Sequence, residues 1–276
     1  KLYNLTIFAV VFSICFAYGC LPKINRTNSE AEKIKLPILM YHGFTCGGKT
    51  SQYVVDVSDF EKDVIYLKSA GFDFIDTYDL INYVYDGVPL PPKPVMITFD
   101  DGYLNNYTYA YKVITKHNIK VVISPIAYYV EYYTNSDEHD PTYTQLTEKE
   151  MREMNNSGLV DFQNHSYNMH SLDNRNGSAI KPGEESLDYL KEFYNDLKSA
   201  ENTLYKITGK KTHAYVYPFG KYSKESFSIL RCCGYKITMG CQEGINTITR
   251  NNTSLNMLKR FNRTPQKSVR QILSQY

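Results

Sequence analysis

The sequence predicts an α/β chain folded as a βα barrel-like single domain, on three observations. From Leu36 onward, short apolar β-type runs alternate with amphipathic helical patterns. No internal repeat or low-complexity block interrupts that alternation. The polar motifs fall where predicted strands end, which is where such folds place their chemistry. At 276 residues the chain can bury a sizeable core in one domain.

The elements follow in order. Residues 37–41 read as the first strand. Ser58-x-x-Glu61 is a capping-box pattern opening a helix with Phe60, Val64 and Leu67 on one face and Gly71 beyond its end. Residues 72–76 read as a short strand and 77–85 as a short helix. Residues 94–99 form an apolar β-run that stops at Asp100-Asp101-Gly102. Residues 119–125 are a strand, and Thr147-x-x-Glu150 caps another helix. Residues 159–163 lead as a strand into Asn164-His165-Ser166. The longest helix spans 184–207, charged outside, with Leu187, Leu190, Phe193, Tyr194, Leu197 and Leu204 as its core stripe. A strand at 213–217 ends at Pro218-Phe219-Gly220, followed by a helix at 223–232 and a strand at 235–239.

The first twenty residues read as an export leader. Lys1 precedes an apolar stretch, Leu5 to Tyr18, too short for a comfortable membrane span and suited to the core of a secretory signal. Ala17-Tyr18-Gly19-Cys20 has the form of a bacterial lipobox, whose cysteine is lipidated and attaches the chain to a membrane. A plain cleaved signal and an uncleaved anchor are the other readings. Polar, aperiodic residues 21–35 read as a tether, leaving 36–276 as the folded domain, expected outside the cytoplasm and as a monomer.

Composition narrows the partners. A formal net charge of +2 without a basic stripe predicts no nucleic-acid binding. There are 26 Tyr and 13 Phe but no Trp; tyrosine suits sugar stacking and half-buried packing alike. Beyond the leader, Cys46, Cys232, Cys233 and Cys241 form no CxxC pair, which leaves a zinc ribbon or thioredoxin-type site unsupported. A disulfide from Cys232 or Cys233 to Cys241 and buried thiols are both open.

Three polar motifs each follow an apolar strand: Thr98-Phe99-Asp100-Asp101-Gly102, Asn164-His165-Ser166-Tyr167-Asn168-Met169-His170, and Tyr217-Pro218-Phe219-Gly220. Singly each has an ordinary reading. Asp-Gly after a strand is a common turn, and two His five apart sit roughly 140° apart on a helix. Together, Asp101, His165 and His170 offer one carboxylate and two imidazoles. That set suits zinc or a similar divalent ion with a position left open for water. Asp100, directly beside a ligand, can serve as base rather than ligand. On a strand the two aspartates point apart unless the chain turns, and Gly102 permits a turn.

On these motifs the sequence resembles the polysaccharide deacetylase family, carbohydrate esterases acting on N-acetylated glycans, from about Leu36 to Arg263. The resemblance implies a distorted (β/α) barrel with fewer regular strands than eight. It implies Asp100 as general base and Asp101, His165 and His170 as ligands of a divalent metal, zinc foremost, with nickel, cobalt or ferrous iron as alternatives. It also implies that the Phe219 backbone N–H stabilises an oxyanion.

The chain departs from the family pattern in two places. Val216 occupies the position where the third motif often carries the Arg that orients the base, and Arg260 resembles the C-terminal Arg that supplies this charge in some subfamilies; a solvated surface Arg is the other reading. No late Leu-x-His follows residue 213 to supply the general acid. Pro37-Ile38-Leu39-Met40-Tyr41-His42 resembles the opening strand of the exopolysaccharide branch, typified by poly-β-1,6-N-acetylglucosamine deacetylases. That likeness makes His42 the acid. His117, His139 and His213 are read as lying away from the chemistry.

The expected activity is removal of N-acetyl groups from an N-acetylglucosamine-containing polysaccharide. The alternatives are an O-acetyl xylan or glycan esterase and a degenerate glycan-binding relative. Asn164-His165-Ser166 is also a formal N-glycosylation sequon, and a glycan there would obstruct the expected ligand. That points to a bacterial protein made outside glycosylating secretory pathways.

Overall fold

A computed structural model describes residues 33–171 and 175–274, within one compact unit, Lys33–Tyr276. The expected leader, Cys20 and tether residues 21–32 lie outside the described residues. The strands are β1 (Ile34–Leu36), β2 (Ile38–Tyr41), β3 (Gly43–Thr45), β4 (Val54–Asp56), β5 (Asp73–Phe74), β6 (Pro94–Asp101), β7 (Val121–Pro125), β8 (Val160–Phe162), β9 (Ala214–Val216), β10 (Ile237–Met239), β11 (Asn246–Ile248) and β12 (Phe261–Asn262). The α-helices are α1 (Val57–Ser69), α2 (Thr77–Ile81), α3 (Tyr111–His117), α4 (Ala127–Thr134), α5 (Glu148–Asn156), α6 (Ser186–Thr208), α7 (Lys224–Cys232) and α8 (Val269–Leu273). No helix among the described residues is long and apolar enough to cross a membrane.

Strands β12, β2, β6, β7 and β8 lie side by side, all parallel. Beyond β8, a single bridge from Asn164 to Tyr215 reaches β9, which pairs in parallel with β10. A second bridge, Met239 to Leu258, returns to the segment entering β12. The parallel strands therefore run round an irregular ring closed at two points by one bridge each. This is the distorted barrel with fewer than eight regular strands.

Period-2 alternation explains why these segments are strands and which way each residue faces. Ile38, Met96 and Val122 share one apolar cluster with Ala214, Val216, Ile237 and Met239, the interior of the ring. Their neighbours Leu39, Tyr41, Val95, Ile97, Phe99, Val121 and Ile123 pack outward against Phe60, Val64 and Leu67 of α1 and Leu204 and Ile207 of α6. Both faces are covered, so β6 is buried at all 8 residues, which is why it reads as a continuous apolar run. The same alternation sends Thr98 and Asp100 inward with Met96.

Several details differ from the sequence reading. Asp56, not Ser58, caps α1, its side chain accepting from the Ser58 N–H. Ordered pairing begins at Ile34, where β1 runs antiparallel to β11. In α6 the buried stripe is Tyr189, Phe193, Leu197, Ala200, Thr203, Leu204 and Ile207, while Leu187 is 56% exposed. A stripe 3.6 residues in period includes Leu187 only if the first turn also lies on the body, and here it does not. Helix α4, with its run of tyrosines, has no clear apolar period and is missing from the sequence reading. Cys46 and Cys241 are unbridged thiols, so no disulfide joins Cys241 to Cys232 or Cys233, and Cys46, Cys232 and Cys241 are exposed rather than buried.

Candidate active site

Asp100 enters the ring interior as the seventh residue of β6. Asp101 then takes a left-handed conformation at φ 66° and Gly102 follows at φ 72°, so the turn begins on the aspartate itself. A Cβ on Gly102 would lie 2.5 Å from the Pro125 Cβ, so both space and backbone require glycine there. Three motif residues other than glycine, Asp101, Ser166 and Phe219, have positive φ. Such strain persists where the surrounding structure enforces it, characteristically at functional sites.

Arg260 meets Asp100 in a two-point ion pair, Nη1 donating to Oδ1 at 2.7 Å and Nη2 to Oδ2 at 2.8 Å. The guanidinium is fully buried; its Nε donates to the Gly240 carbonyl at 2.9 Å and Nη1 also to Thr98 Oγ1 at 3.2 Å. The surface reading of Arg260 is thereby excluded. Burial alone would raise the Asp100 pKa, but its charged and hydrogen-bonded partners, Arg260 foremost, outweigh it and hold the carboxyl below its ordinary range. Asp100 is thus kept ionised, with both oxygens engaged, rather than free to ligate.

Asp101, His165 and His170 converge, with one donor atom from each within 4.8 Å of the others. Asp101 Oδ1 lies 3.4 Å from His165 Nε2 and 3.3 Å from His170 Nε2, and is a buried carboxylate oxygen without a hydrogen-bond partner. The ring of His165 donates from Nδ1 to the Val216 carbonyl at 2.8 Å. A neutral imidazole held this way presents the lone pair of Nε2 to the aspartate oxygen. Two facing acceptors, one buried and unpaired, fit a cation between them. The donor set, two imidazoles and one carboxylate, is that of an open divalent site.

The loop carrying the two imidazoles is pinned by groups the sequence reading did not single out. Asn164 Oδ1 accepts from the Ser166 N–H at 2.8 Å, and Ser166 Oγ accepts from the Met169 N–H at 3.0 Å. Asp196 of α6 accepts from the Tyr167 and Asn168 N–H groups at 2.8 and 2.7 Å; burial pushes its carboxyl up to about 6. Tyr103, next to Gly102, is also missed. Burial and then the adjacent Asp101 carboxylate push its phenol well above its ordinary range. Its place directly after the Asp-Asp-Gly turn is the signal that could have found it.

Phe219 sits at φ 56° with its ring 4.0 Å from that of His170 at 30° between planes, and is 39% exposed at the mouth of the site. His42 follows β2, its ring 4.9 Å from that of Tyr53. Its Nδ1 is buried without a partner, while its carbonyl accepts from Asn106 Nδ2 at 2.7 Å. Burial lowers the His42 pKa against the pull of Asp100 and Asp101. His213 lies at the opposite end of β9, bonded through Nε2 to Thr77 Oγ1 at 2.6 Å, and His139 is exposed. His117 pairs with Glu61 at 2.7 Å, part-buried.

The chain belongs to the polysaccharide deacetylase family: that family's profile matches residues 87–238, more than half of the chain. Among its relatives, the poly-beta-1,6-N-acetyl-D-glucosamine N-deacetylase of Staphylococcus aureus (strain MRSA252) is 26% identical over 200 residues, covering 72% of this chain and 65% of the relative. The chain therefore spans a little under two thirds of that relative's length. The Streptococcus pyogenes deacetylase PplD, solved in complex with acetate, superposes with a TM-score of 0.70 at 24% identity, covering 88% of this chain and 98% of that one. A de-N-acetylase from Aggregatibacter actinomycetemcomitans superposes with a TM-score of 0.74 at 19% identity, covering 87% and 99%. These two structures share the fold.

Proposed function

We propose that this protein is a metal-dependent hydrolase that removes N-acetyl groups from an N-acetylglucosamine-containing polysaccharide. One observation carries the reading: a buried, unpaired Asp101 oxygen between two imidazoles, beside an Asp100 that Arg260 holds ionised and out of the ligand set. Membership of the deacetylase family and the similarity to a poly-β-1,6-N-acetylglucosamine deacetylase support the substrate class.

Asp101, His165 and His170 would hold the metal, which we take to be zinc; when bound, such an ion polarises a carbonyl and acidifies water. Asp100 takes the proton of the attacking water, and Arg260 keeps it charged and oriented for that. The Phe219 N–H donates to the oxygen that becomes negative as the acetyl carbon turns tetrahedral, a contribution of about 3 kcal/mol for one such donor. His42 delivers the proton that the departing amine needs. We place the protein outside the cytoplasm of a bacterium, released or attached through Cys20.

The test is acetate release from a panel of N- and O-acetylated glycans, with and without chelator and with zinc, cobalt, nickel or ferrous iron restored. Chelator-sensitive release of acetate with a matching new amine supports the proposal. Release from O-acetyl glycans alone makes the protein an esterase. Binding without release by any metal form, matched by Asp100→Asn, makes it a glycan-binding relative.

A further inference from the structure

Next to the imidazole loop, α4 presents a ladder of tyrosines that the chemistry above does not use. Two backbone bonds join it to that loop: the Ala127 N–H donates to the Ser166 carbonyl at 3.1 Å and the Tyr128 N–H to the Tyr167 carbonyl at 3.0 Å. Beside it opens a cleft of roughly 490 Å³ lined by Tyr128, Glu131, Tyr132, Asn135, Ser136 and Tyr167. Tyr128 and Tyr132 are 37% and 48% exposed, their rings stacked at 6.4 Å, and Tyr167 meets Tyr128 edge-on at 6.0 Å.

The electrostatics of this cleft point to one kind of ligand. The Glu131 carboxylate is exposed, and both of its partners are neutral hydroxyls, Tyr167 at 2.8 Å and Thr203. Its negative charge is therefore hydrogen-bonded but not neutralised. Tyrosine faces attract cations through the ring quadrupole and stack on the apolar face of a sugar.

We infer that this cleft is a subsite for a glucosamine unit already bearing a free ammonium, one position or more along the same polymer from the acetamide being cleaved. The inference rests on the deacetylase reading, because that reaction makes the cationic sugar. A protein with this subsite holds the product end of a partly processed chain and presents the next acetamide to Asp100. Processing would then favour polymers that already carry free amines.

Calorimetry with short glucosamine oligomers, which carry no acetyl group and cannot turn over, tests the subsite directly. Neutral glucose oligomers of the same linkage are the control. The expected result is about tenfold tighter binding of the glucosamine oligomer, weakening as salt is raised. Glu131→Gln, whose amide oxygen accepts from one hydroxyl while its N–H donates to the other, is expected to abolish that advantage, and Tyr132→Ala to weaken both ligands severalfold. Equal affinity for the two sugars, no binding of either, or an unchanged glucosamine preference in Glu131→Gln overturns the inference. Acetate release plays no part in this readout, so a protein that fails to hydrolyse yet binds glucosamine through Glu131 defeats the activity proposal and leaves the subsite standing.

Discussion

Arg260 and Asp100, 160 residues apart in the chain, meet through two parallel N–H to O bonds in a pocket closed to solvent. The fork geometry of guanidinium on carboxylate accounts for the match, and an ammonium cannot reproduce it. Arg260→Lys is expected to lower kcat by about one to two powers of ten with metal content unchanged. Arg260→Met leaves a buried charge unpaired and costs about 3 kcal/mol of stability, read from denaturant midpoints. Full activity in the lysine variant would remove Arg260 from the chemistry.

Metal content separates the proposed base from the proposed ligands. Asp100→Asn keeps the three converging donors and is expected to retain the ion while losing most turnover. His165→Ala removes one donor and its anchor on Val216, so the ion is lost. Elemental analysis of the purified variants decides the matter, and equal metal in both contradicts the assignment.

His42→Ala is expected to reduce turnover about a hundredfold without changing metal content. An unchanged rate would pass the proton-donor role to another group.

His213 predicts an acid-sensitive fold. Burial pulls its pKa down to about 4, whereas the unfolded imidazole titrates near about 6.5. The folded state thus favours the neutral ring, and this contribution is complete above about pH 6.5. It drains away between about 6.5 and 4, by about 3 kcal/mol, as the unfolded chain takes up the proton first. Asp196, held up to about 6, slopes the opposite way over part of that range, so the difference between wild type and His213→Gln is the measurement. Thermal unfolding from pH 7.5 to 4 should show a shallower decline in the variant; parallel curves would refute the linkage.

Gly102→Ala places a methyl against Pro125 in a left-handed backbone. The expected cost is at least about 2 kcal/mol, seen as a lowered Tm. A neutral effect would mean that the turn after Asp101 moves freely.

The residues proposed as ligands and base are legible in sequence because they lie at or beyond the ends of apolar strands, and local order alone carries that information. Arg260 was open between two readings in sequence, although alternation supplies a clue: Phe261 packs into the outer core, so its neighbour faces inward. Asp196 was not legible. It reaches the imidazole loop from α6, and only the packing of that helix reveals which of its acidic residues has backbone donors to meet. The tyrosines of α4 defeated periodicity because they line both the exposed and the half-buried side of a short helix.

Arg260 immediately precedes β12, whose register beside β2 is set by Phe261 against Leu39 and Asn262 against Met40. The counter-charge of Asp100 is thus delivered by a segment that leaves the ribosome well after Asp101, His165 and His170. Until that strand docks, the three donors can gather around an ion while Asp100 has no guanidinium to hold it. Pairing of Asp100, and any chemistry that needs it, is in this way coupled to completion of the ring.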